Sequence, residues 1–83
     1  MTTANAMTIE LVKILEEAQM NFENGMRSFE ASENEIDEEL HEIYWAICRE
    51  YDGKVWGLLK AYEILTGEKI YPHQIKSTLY ALA

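Results

Sequence analysis

Apolar residues recur along the first third of the chain at Leu11, Leu15, Ala18, Phe22, Met26 and Phe29, in steps of four, three, four, four and three. Such spacing keeps them on one stripe of an α-helix, and Val12 and Ile14 widen the stripe. The pattern predicts a first helix over about residues 7–31. Asn24-Gly25 would ordinarily mark a helix end, because glycine adopts the left-handed backbone of a cap. The stripe nevertheless stays in phase across it, so the helix either tolerates Gly25 at a cost of about 1 kcal/mol or bends there. A continuous or gently kinked helix is the favoured reading.

Ser32-Glu33-Asn34-Glu35 matches a capping box, in which a serine hydroxyl and a glutamate three residues later satisfy free backbone N–H groups at a helix start. A second helix is expected from there, with Ile36, Leu40, Ile43, Tyr44, Ile47 and Tyr51 on one side and Asp37, Glu38 and Glu39 in the first turns, where the helix dipole favours negative charge. Asp52-Gly53 interrupts the pattern and predicts a break. A third helix over about 54–66 carries Val55, Leu58, Leu59, Tyr62 and Leu65, with Gly67 as its cap. Tyr71-Pro72 opens a fourth, since proline suits the first helical position, and Ile75, Leu79 and Leu82 repeat at four and three. No strand-like alternation occurs. The expected fold is all-α: one domain, residues 1–83, forming a compact bundle of about four helices or a long-helix hairpin completed by two shorter ones, with residues 1–6 disordered.

Some large apolar side chains fit no single stripe. At ~100° per residue, Trp45 points away from Ile36, Ile64 away from Val55, and Met20 away from Leu11, while Trp56 lies to one side of its helix. Inner helices of a small bundle are contacted from two directions, which is one account of these residues, and isolated surface apolar residues need none. The other account is a patch of Trp45 and Trp56, with Ile64 or Met20, that another chain covers, because tryptophan is enriched among residues that dominate binding energy.

Composition narrows the classes. The 83 residues hold 15 Asp plus Glu against 7 Lys plus Arg, a net charge of −8. A chain this short builds only one modest core. Cys48 is the single cysteine, which excludes a disulfide framework, and no Cys/His cluster has the spacing of a structural zinc site. No charge-free run approaches the ~20 residues that cross a bilayer, and the N-terminus lacks a signal-peptide pattern, so the protein is expected to be cytoplasmic and not membrane-bound. The charge is lopsided: residues 1–52 hold 13 acids against Lys13, Arg27 and Arg49, whereas residues 53–83 hold Glu63 and Glu68 against four lysines. An acidic surface disfavours direct binding to nucleic acid and favours protein partners with basic surfaces, or head-to-tail self-association.

Candidate chemistry is sparse. Glu38-x-x-His41 has the one-turn spacing of two metal ligands, but the second such pair and the two further glutamates of a carboxylate-bridged site are missing. His41 and Cys48, two turns apart, are separated by ~10 Å and cannot act as a nucleophile pair. No glycine-rich phosphate loop or nucleotide fingerprint is present. No catalytic residue, cofactor or metal is expected, and the protein is not expected to be an enzyme.

What remains is the acidic run: Glu33, Glu35, Asp37, Glu38, Glu39 and Glu42 within ten positions, with no Lys or Arg. Along a helix rising ~1.5 Å per residue it spreads negative charge over ~15 Å, a density comparable with a nucleic-acid strand. The sequence therefore points to a non-catalytic interaction module, an accessory regulator or inhibitor that occupies a partner's surface. Glu35, Asp37, Glu38, Glu39 and Glu42 would steer the partner, and Trp45, Trp56, Ile64 and Met20 would hold it. An anti-defence factor of a mobile element that mimics nucleic-acid charge is one form of this reading. The alternative is a self-associating structural subunit, a homodimer whose charge serves only solubility.

Overall fold

The computed structural model describes residues 3–82, with side chains from Ala6 onward. Among these residues the fold is all-α, with three α-helices: α1 (Thr3–Asn34), α2 (Glu38–Thr66) and α3 (Ile75–Leu82), the last preceded by a 3-10 turn at Pro72–Gln74. α1 and α2 form an antiparallel hairpin joined by residues 35–37, and α3 folds back onto α1. The result is a rod of 54 × 20 × 19 Å.

The continuous helix favoured at Gly25 is found, and the break expected at Asp52-Gly53 does not occur. Gly25 lies inside α1 because its missing side chain serves packing: a Cβ built there would stand 3.3 Å from Tyr51 Cβ and 3.9 Å from the Cys48 carbonyl oxygen. The two long helices approach each other closely at this point, and only glycine fits without displacement. Asp52-Gly53 lies inside α2, so the expected second and third helices are one of 29 residues. The reason is phase. Cys48, Tyr51, Val55, Leu59 and Tyr62 stay on one stripe, and the ~1 kcal/mol cost of Gly53 is smaller than the gain from continuing to bury it.

The capping box is also corrected. Ser32 belongs to α1, where its hydroxyl donates to the Phe29 carbonyl at 2.7 Å. The cap of α2 is Asp37, whose carboxylate accepts from the N–H groups of Glu39 and Leu40 at 2.9 and 3.2 Å. Local pattern could not separate these two starts, since Ser32 and Asp37 are both good cap residues. At the other end of α2 the sequence reading holds: Gly67 has a φ of 74° and donates to the Glu63 carbonyl at 2.7 Å. Pro72 opens the last helical segment as expected, with the Gln74 side chain accepting from the Tyr71 N–H at 2.8 Å. α1 begins at Thr3, ahead of the expected residue 7, and the disorder expected at residues 1 and 2 lies outside the described residues.

The core occupies one end of the rod. Leu11, Leu15, Ala18, Val55, Leu59, Tyr62, Ile70 and Ile75 form it, with Ile14, Phe22, Leu58, Leu79 and Leu82 packed around. α3 packs on α1 and the 3-10 turn before it touches both long helices, which gives side chains of this base neighbours beyond the α1–α2 seam. Beyond Ala18 and Val55 the hairpin continues as an arm of two helices, and between residues 21 and 53 only Asn21 and Ser32 are buried. Both are polar. Two helices cover each other from a single direction, so apolar residues beside the seam keep part of their surface in solvent.

Candidate functional site

Charge follows the same division as burial. Residues 21–53, the arm, hold ten acids against Arg27 and Arg49, whereas residues 1–20 and 54–83 hold five acids and five lysines. The whole net charge of −8 therefore belongs to the arm. Among the described residues both ion pairs, Glu10–Lys13 at 3.9 Å and Lys60–Glu63 at 3.5 Å, lie in the base. Arg27 donates to Asn24 Oδ1 at 2.7 Å instead of pairing with an acid. Among the described residues no carboxylate of the arm is neutralised by an ion pair.

The acidic run does not make the charged ladder expected from a helix starting at Ser32. It wraps around the hairpin tip: Glu33 ends α1, Glu35 and Asp37 form the connection, and Glu38, Glu39 and Glu42 occupy the first turns of α2. Two of the six are engaged by backbone, Asp37 as the cap of α2 and Glu35 by accepting from the Asp37 N–H at 3.1 Å. Glu33, Glu38, Glu39 and Glu42 remain exposed around the tip. Among them stand Leu40, Ile43 and Ile36, the last 96% exposed. No sequence pattern marked Ile36 as surface, because the early helix start had placed it on the buried stripe.

Trp45 and Trp56 are both partly open, at 42% and 41% exposure. Neither points straight out. Trp45 leans on Phe29, with ring centroids 5.9 Å apart, and Trp56 meets Tyr71 edge-on at 6.2 Å. Because α2 is unbroken, the step of eleven from one to the other amounts to three turns plus about 20°, which sets both indoles on one flank about 16 Å apart. Glu38, Glu42, Arg49 and Asp52 share this flank by the same arithmetic. Ile64, 73% exposed, lies roughly a quarter-turn further round α2, and Met20, 57% exposed, lines a shallow depression with Lys54, Gly57 and Leu58. The structure thus unites the tryptophans with Glu38 and Glu42, and leaves Ile64 and Met20 apart from them.

A groove of about 230 Å³ opens between α1 and α2 where the core ends, lined by Phe22, Gly25, Met26, Phe29, Cys48 and Asp52 among others. An apolar cavity of about 150 Å³ holds a benzene molecule, so this one has room for a single large side chain. Cys48 in its wall is half-buried. Sequence reading did not anticipate the groove, since that depends on Gly25 removing a side chain where two helices meet.

His41 is committed to structure. Its Nδ1 lies 2.7 Å from the Ser32 carbonyl oxygen and donates to it, tying the first turn of α2 to the last turn of α1. Among the described residues no three His, Cys, Asp or Glu side chains converge on a point that would hold a metal ion. Among the described residues no helix is long and apolar enough to cross a membrane. No protein-family model, curated protein or solved structure matches this chain.

Proposed function

We propose that this protein is a non-catalytic interaction module whose arm occupies the surface of a partner protein bearing basic groups, making it an accessory regulator or inhibitor. The observation that carries the reading is the mismatch between core and rod: burial of apolar residues stops at Ala18 and Val55, while the arm beyond them exposes Ile36, Leu40 and Ile43 amid the entire net charge. Exposed apolar side chains rimmed by charge are the usual anatomy of a docking surface. The carboxylates steer approach and are screened by salt, and the apolar side chains slow dissociation. The groove at the foot of the arm accepts one anchoring side chain.

The test is retention of host protein on the immobilised full chain. One partner held in a fixed ratio, released as salt rises and lost from a variant with both Ile36→Ser and Ile43→Ser, is the expected result. Retention unchanged in that variant, or no stoichiometric partner at low salt, would remove this reading. Nucleic-acid mimicry makes a narrower demand: the partner must then bind nucleic acid, and added protein must displace it.

A further inference from the structure

The flank of α2 that carries the tryptophans has a symmetry of its own. Reading along it gives Glu38, Glu42, Trp45, Arg49, Asp52, Trp56, Lys60 and Glu63, all within about a quarter of a turn of one another. Reversed about a point between residues 50 and 51, the centre of the series maps onto itself with complementary chemistry. Trp45 falls on Trp56 and Arg49 on Asp52; further out, Glu42 falls beside Lys60, which also pairs with Glu63 in its own chain, and the outermost pair, Glu38 and Glu63, are both acids. A two-fold interface demands this kind of pattern, because residue i of one subunit meets residue j of the other and the reverse contact follows.

From this we infer that α2 packs antiparallel on α2 of a second copy of this chain, forming a symmetric dimer with its axis near Glu50 and Tyr51. Each dimer then holds two Trp45–Trp56 contacts, two Arg49–Asp52 pairs and two Glu42–Lys60 pairs. Arg49 and Asp52 are exposed and form no ion pair among the described residues, so both are available. Gly53, beside them, has nothing within 4 Å of a Cβ built on it. A glycine in mid-helix costs about 1 kcal/mol relative to alanine, and nothing in the single chain requires one there. Close approach of a second helix near the axis does.

Charge also selects the orientation. Parallel packing would set two arms of −8 side by side, with Glu38 on Glu38 and Glu42 on Glu42. The antiparallel dimer lays each acidic arm along the neutral base of the other chain, near Lys54, Lys60 and Lys69. The two acidic tips then face opposite ends and stay free. The dimer does not depend on the partner-binding reading, and it would make that reading bivalent.

Sedimentation analysis of the 83-residue chain across concentration is the first measurement, with a species of twice 9.6 kDa expected. Arg49→Asp and Asp52→Arg should each weaken the dimer about tenfold or more, since each places like charges opposite one another twice. The double variant with both changes should recover most of that loss, while helicity stays constant because both positions are exposed. A protein that remains monomeric at all concentrations overturns the inference. So does a dimer that both single variants leave intact or that the double variant fails to restore, because it must then use another face. Loss of host partner with the dimer intact would sink only the earlier reading.

Discussion

His41 Nδ1 sits 2.7 Å from the carbonyl oxygen of Ser32, nine residues earlier, and this bond closes the hairpin tip. The same carbonyl also accepts from the Glu35 N–H at 3.3 Å, so one oxygen at the end of α1 holds both the connection and the first turn of α2. A carbonyl has two lone pairs and helix ends leave such groups free, which is why one side chain can organise the turn.

His41→Phe keeps a ring and removes the donor. It should cost about 1 kcal/mol in thermal unfolding and speed amide exchange at residues 33–37, with little change in the base. Unaltered exchange at the tip would mean that the bond contributes nothing there.

The two candidate caps of α2 make opposite demands. Asp37→Ala should lower stability by about 1 kcal/mol, the usual loss when an N-cap carboxylate is removed. Ser32→Ala should cost less, since it deletes a hydroxyl that is bonded back to Phe29 within α1, a contact that adds little to a helix. Calorimetry giving the reverse order would return the helix start to Ser32.

Glycine substitutions separate packing from propensity. Gly57→Ala meets nothing within 4 Å and should stabilise by about 0.5–1 kcal/mol, read from denaturant midpoints. Gly25→Ala gains the same helical preference but brings its methyl 3.3 Å from Tyr51 Cβ, an atom fixed to the backbone of α2. Overpacking of about 1–3 kcal/mol outweighs the gain, so a net loss is expected. A stabilised Gly25→Ala protein would show that the helices do not meet there as closely as described.

Tyr62 links the base to alkaline pH. Burial holds its phenol above the ordinary value of 10.0, and the nearby Glu68 carboxylate pushes it further the same way. The unfolded chain therefore loses this proton first as pH rises. The stabilisation is complete below pH 10 and disappears as pH passes through the higher folded value. Tyr62→Phe should flatten that fall in a stability titration. An equal alkaline loss in both proteins would assign it to other groups.

Periodicity alone determined that the chain is helical, which residues of α1 form its stripe, where Gly67 ends α2 and where Pro72 opens the last segment, because each depends on backbone chemistry within a turn or two. It did not determine how many helices there are. Ser32 and Asp37 are both competent caps, and Gly25, Gly53 and Gly57 are all poor helix residues, so local preferences of about 1 kcal/mol left several arrangements nearly equal. Only contacts between distant segments divided them: Gly25 against Tyr51 kept α1 whole, and a continuous seam from Cys48 to Tyr62 kept α2 whole. The placement of Trp45 and Trp56 on one flank followed from that continuity. Their outward lean was legible in the sequence, but their shared side was not, since it required knowing that no break separates them.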